Sequence, residues 1–82
     1  MKNAEYDSIF LELFTLEKKQ LGPHLVYQSI DSWDSVGHME LMAKIENKFG
    51  INLEMDDVID FTSYDEGKRI LSKYGVPFRH SD

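Results

Sequence analysis

The chain predicts an all-α fold, a small bundle of three main helices and one short one. Two observations carry that prediction. Apolar residues recur at helical spacing in separate stretches, and glycine or proline stands where the main stretches stop. No segment makes a convincing strand. At 82 residues the chain is one domain, near the lower size for a self-supporting core. Its core is expected over about residues 5–74, with 75–82 as a flexible tail.

Helix I is expected from about Ala4 to Lys19. At ~100° per residue, Tyr6, Ile9, Phe10, Leu13 and Leu16 share one face. Asn3 is placed to cap its start, and Lys18 and Lys19 suit the negative end of its dipole. Leu21-Gly22-Pro23 ends it. Residues 22–34 then form a long loop, the kind of segment that tends to carry function. Leu25, Val26 and Ile30 are expected to pin it to the core, and Trp33 to pack over it.

Helix II should span Ser35 to Phe49, about 22 Å at 1.5 Å per residue. Gly50 closes it, with Ile51 folding back in a Schellman motif. A short acidic helix follows over Met55–Phe61. Ser63-Tyr64-Asp65-Glu66 has the form of a capping box, with Glu66 reaching back to Ser63. The last helix then runs to about Tyr74, burying Gly67, Ile70, Leu71 and Tyr74, before Gly75 and Pro77 stop it.

Charge narrows the functional classes. Residues 31–66 hold ten acids against only Lys44 and Lys48, within a net charge of −6. Nucleic acid is an unsuitable partner, because phosphate binding needs a basic footprint. A basic protein surface suits the acidic middle better. The chain has no cysteine, which excludes thiol catalysis and thiolate metal sites from its own side chains. With neither a signal-like apolar stretch nor a run of ~18 apolar residues, a cytoplasmic protein is expected.

Helix II carries two apolar stripes. His38, Leu41, Met42, Ile45 and Phe49 form the ordinary, core-facing one. Val36, Met39 and Ala43 lie on the opposite side, bracketed by Glu40, Glu46 and Asn47. A domain this small cannot bury both, so the second stripe is a candidate docking surface. Ser35 stands at its end. The residues alone leave Ser35 open either as a helix cap or as a hydroxyl for covalent attachment.

Other chemistry fails on geometry. An EF-hand loop opened at Asp31 would put Trp33, Ser35, Val36 and Met42 where calcium needs acids, a glycine and a glutamate. Ser35 and His38 are three apart, but His38 turns toward the core stripe and has no orienting acid, so a partly buried structural histidine is expected. His24 and His80 sit apart in a loop and a tail, and no metal site is expected.

The block Asp34-Ser35-Val36, Glu40-Leu41, Ile45-Glu46 and Phe49-Gly50-Ile51 resembles the acyl carrier proteins and related thiolation domains. The resemblance covers about residues 5–74. Asp31-Ser32-Trp33 is a second Asp-Ser-apolar triplet, but the fourteen residues from Ser35 to Phe49 match the family's spacing and those from Ser32 do not. The resemblance implies an acyl-carrier-like bundle and a non-enzymatic, monomeric carrier. A phosphopantetheinyl transferase would use Mg²⁺ and coenzyme A to join 4′-phosphopantetheine to Ser35. Acyl groups would ride on the arm's thiol as thioesters, in fatty acid, polyketide or another specialised biosynthesis. Asp34 would cap the helix and contact the transferase. Val36, Met39 and Ala43 would give apolar contact, and Glu40 and Glu46 would meet basic patches on the transferase, loading ligase, synthase and acyltransferase enzymes. Gly37 stands where fatty-acid carriers have an acid, Asn47 and Lys48 replace parts of the acidic turn, Lys44 adds a positive charge, and Trp33 before the triplet resembles stand-alone carriers of specialised pathways. The alternatives are a D-alanyl, other aminoacyl or peptidyl carrier, although Gly-Gly-His or Gly-Gly-Asp ahead of the serine is missing. From another class, the alternative is an unmodified acidic helical adaptor.

Overall fold

The structure, a computed structural model, describes residues 2–78. Residues 79–82, which include His80 and the end of the expected tail, lie outside them. Among the described residues, four helices, α1 (Lys2–Phe14), α2 (Ser35–Phe49), α3 (Met55–Asp60) and α4 (Tyr64–Lys73), make up an all-α bundle, with a 3₁₀ turn at Lys18–Gln20. None of the described helices is long and apolar enough to cross a membrane.

The core is aromatic. Tyr6, Ile9, Phe10 and Phe14 of α1 meet Leu41, Met42 and Ile45 of α2 and Tyr64, Ile70 and Leu71 of α4, all buried. The expected α1 face is thus correct, with Leu13 and Leu16 half-buried at its margin and Phe14 added. Tyr6 is a hub. Its buried hydroxyl donates to the Tyr64 carbonyl (2.6 Å), and burial pushes its pKa well above the ordinary tyrosine value. Gly67 makes this approach possible, because a Cβ there would lie 2.3 Å from the Tyr6 hydroxyl and 2.2 Å from the Phe61 ring.

Both ends of α2 are as expected. Gly50 closes the helix at φ 66°, and the N–H of Ile51 reaches the Glu46 carbonyl (3.2 Å) in the Schellman manner. Several expectations need correction. Helix α1 stops at Phe14 rather than Lys19, because Thr15 turns left-handed (φ 54°) and the Leu16 N–H closes on the Leu11 carbonyl (3.0 Å). Asn3 lies inside α1, buried, rather than capping it. Ser63 does cap α4 by accepting from the Glu66 N–H (2.9 Å), but the Glu66 carboxylate pairs with Arg69 instead of reaching back. Of the expected tail, Val76 is buried and Phe78 sets its ring edge-on to Tyr6 at 5.2 Å.

Two of the three expected pins hold the loop from 22 to 34 to the core, and the third does not. Leu25 is buried and Ile30 half-buried, but the Val26 side chain is exposed. The backbone of Val26 adds an anchor, in an antiparallel bridge with Ser63. Tyr27 N–H donates to the Thr62 carbonyl (2.8 Å) and Tyr64 N–H to the Leu25 carbonyl (2.9 Å). Trp33 goes beyond packing over its own loop. It is fully buried, stacked on Phe14 (centroids 5.7 Å) and edge-on to Phe10 (5.6 Å).

Candidate functional site

The loop delivers the chain to α2 through Trp33. With the indole in the core, the next residue, Asp34, turns outward in extended backbone and caps the helix. Its Oδ1 accepts from the Gly37 N–H (2.8 Å). The first intrahelical bond runs from the His38 N–H to the Asp34 carbonyl (2.7 Å), so the amides of Ser35 and Val36 precede it at the positive end of the helix. Ser35 is the first helical residue and is exposed, and no hydrogen bond engages its hydroxyl among the described residues. The capping role left open between cap and free hydroxyl therefore falls to Asp34.

Gly37 explains how the loop comes so close. A Cβ at this position would lie 1.9 Å from the Ser32 carbonyl oxygen and 3.3 Å from the Phe14 ring. The backbone of Ser32 rests on the first turn of α2, and only glycine leaves it room. The Ser32 side chain is exposed.

The core-facing stripe of α2 is buried or half-buried as expected, and the second stripe is solvent-facing. Val36 is 68% exposed and Met39 58% exposed, with Glu40 and Ala43 also outside. Glu46 is different. It is half-buried, and its Oε2 accepts from the Leu53 N–H (2.8 Å), tying the chain after α2 back onto that helix.

Sequence reasoning missed the second half of this surface. On α3, Met55 and Ile59 are 70% and 65% exposed. With Ser35, His38 and Met39 they border a groove of ≈ 360 Å³, floored by Tyr27, Val58 and Phe61. The signal was present in the chain, since Met55 and Ile59 are four apart and share one helix face. Ser35 and Met39 are thus brought to one apolar groove, whereas Glu40, Ala43 and Glu46 are not among its lining residues.

His38 is half-buried between Trp33 and α3. Its Nδ1 faces the Trp33 Nε1 (3.0 Å) and its Nε2 the Val58 carbonyl oxygen (2.8 Å). Both ring nitrogens are engaged, and neither serves Ser35 as a base. That agrees with the structural role expected of it.

No protein-family model, curated protein or solved structure matches this chain.

Proposed function

We propose that the protein is a stand-alone acyl carrier, holding acyl intermediates as thioesters on a 4′-phosphopantetheine arm joined to Ser35. The observation that carries this reading is the division of labour at the start of α2. Asp34 caps the helix, while Ser35, exposed and with no hydrogen bond to its hydroxyl among the described residues, lines an apolar groove. The resemblance of Asp34-Ser35-Val36 and Glu40-Leu41 to carrier domains points the same way.

In the attachment step, Ser35 Oγ would bond to the β-phosphorus of coenzyme A and pass its proton to a base of the transferase, since both ring nitrogens of His38 are engaged. The pyrophosphate P–O bond breaks, and adenosine 3′,5′-bisphosphate leaves. A phosphodiester at Ser35 suits the positive end of α2. The arm, once attached, supplies the thiol that this cysteine-free chain lacks. The chain's own residues cap, expose and frame the attachment point, and the protein is a carrier rather than an enzyme. The exposed Val36 and Met39, with Glu40 nearby, form the surface offered to transferase and acyl-loading enzymes that carry basic patches. Ala43 and Glu46 extend that surface along α2. A monomeric, cytoplasmic carrier belongs to the same reading.

The test is to incubate the protein with coenzyme A, Mg²⁺ and a promiscuous phosphopantetheinyl transferase and to weigh it intact. The expected result is one added phosphopantetheine, abolished in Ser35→Ala and retained in Ser32→Ala. An unmodified wild-type chain would leave an acidic helical adaptor as the reading.

A further inference from the structure

Helix α3 poses a physical problem. It has six residues, none fully buried, and two of its apolar side chains face solvent. A helix this short has no stability of its own, so its placement depends on tethers. On one side α4 supplies them: Asp57 pairs with Lys73 (2.8 Å) and accepts from the Tyr74 hydroxyl, which also receives the Glu54 N–H (3.0 Å). On the other side a polar tether comes from His38 of α2.

The hydrogens on His38 follow from its partners. An indole N–H can only donate, so Nδ1 accepts from Trp33 and the ring proton sits on Nε2. Nε2–H then donates to the Val58 carbonyl, one of the last four of α3, which no helical N–H can satisfy. One side chain therefore receives the indole that precedes Asp34-Ser35 and caps the C-terminal end of α3. Tyr27 and Phe61 pack edge-on to the ring at 5.4 and 6.2 Å and hold its plane.

We propose that His38 is a positioning residue, the strut that fixes α3 against the first turn of α2 and so presents Met55 and Ile59 with Met39 as one apolar face beside Ser35. The function of that face in docking a modifying enzyme rests on the carrier reading. The strut itself rests on geometry alone.

Three measurements test it. Nitrogen shifts of the His38 ring should show the proton on Nε2, and a proton on Nδ1 overturns the proposal without any variant. In His38→Phe the ring volume stays but both hydrogen bonds go. Amide exchange at Val58 and Ile59 should then quicken about tenfold relative to Leu41 and Ile45, the worth of roughly one net hydrogen bond. In His38→Gln the side-chain oxygen and nitrogen can still accept and donate, and exchange should return toward wild type. A uniform rise over α3 and the core in His38→Phe, or no rescue by glutamine, would overturn the strut. With coenzyme A and transferase, His38→Phe should raise KM for the protein several-fold with kcat little changed, and an unchanged KM would overturn the presenting role. If the wild-type chain is not modified at all, the carrier reading fails, while ring shifts and exchange still decide the strut.

Discussion

Two residues in the first turn of α2 answer to opposite demands. Ser35 faces water with an idle hydroxyl, and Gly37 faces a backbone oxygen with no room to spare. Alanine would ordinarily improve a helix interior by about 1 kcal/mol over glycine. At position 37 the new methyl would meet the Ser32 carbonyl at 1.9 Å, and the loop backbone would have to move. Gly37→Ala is expected to destabilise the fold by about 1–3 kcal/mol or more in urea denaturation, overpacking outweighing propensity. Ser32→Ala should be near neutral, because Ser32 makes its contact through the backbone. Asp34 was readable from the chain only through the resemblance to carrier domains, because the residues alone left the cap open between it and Ser35. The meaning of Gly37 was not, because its partner arrives only when Trp33 draws the loop inward.

At the scale of elements, legibility followed the locality of the stop signal. Asp34 and Gly50 bound α2 in sequence and in space. Helix α1 gave no such signal, as Leu16, Glu17, Lys18 and Lys19 are all good helix formers. It ends where Phe14 stacks on Trp33 and the chain turns so that Leu16 and Leu21 can pack on the core. Thr15 takes the left-handed conformation there, a strain of about 1 kcal/mol that the packing offsets. The docking of α3 on α4 has its own signature in acid. Lys73, and then Tyr74, hold the Asp57 carboxyl below the usual carboxylate range. Asp57 therefore stabilises the fold fully above its unfolded pKa, and this contribution is lost as pH falls through the lowered folded value. Denaturation midpoints should show this loss in the wild type. Asp57→Asn should be less stable at neutral pH and lack that part of the acid dependence; an unchanged acid slope would remove Asp57 from the tether.

For the whole molecule, periodicity and composition were enough to give the fold class, because an aromatic-rich core needs only amphipathic faces of about the right size. They did not give the last turn of chain. Gly75 and Pro77 end a helix correctly, yet ending a helix does not end packing, and Phe78 returns to Tyr6. Nor did they show how α3 joins α2 into one surface, since that depends on His38 and on where the Val58 carbonyl lands. Exposed acids stand on both helices of this surface, Asp34 and Glu40 at the start of α2 and Asp56 and Asp60 on α3. On the carrier reading, binding to a phosphopantetheinyl transferase should weaken as salt rises, because Asp34 and Glu40 are exposed and screened within a Debye length of about 8–10 Å. Affinity unchanged between low and high salt would assign recognition to Val36, Met39, Met55 and Ile59 alone.

The idle hydroxyl of Ser35 has a consequence for how such a sequence drifts. That hydroxyl makes no hydrogen bond among the described residues, so on the carrier reading modification, and not the fold, holds serine in place. In a library randomised at 35 and 37 and sorted by protease resistance alone, glycine should persist at 37 and serine should dissolve into many residues at 35. Enrichment of serine at 35 under that sort would mean that folding, rather than chemistry, keeps it there.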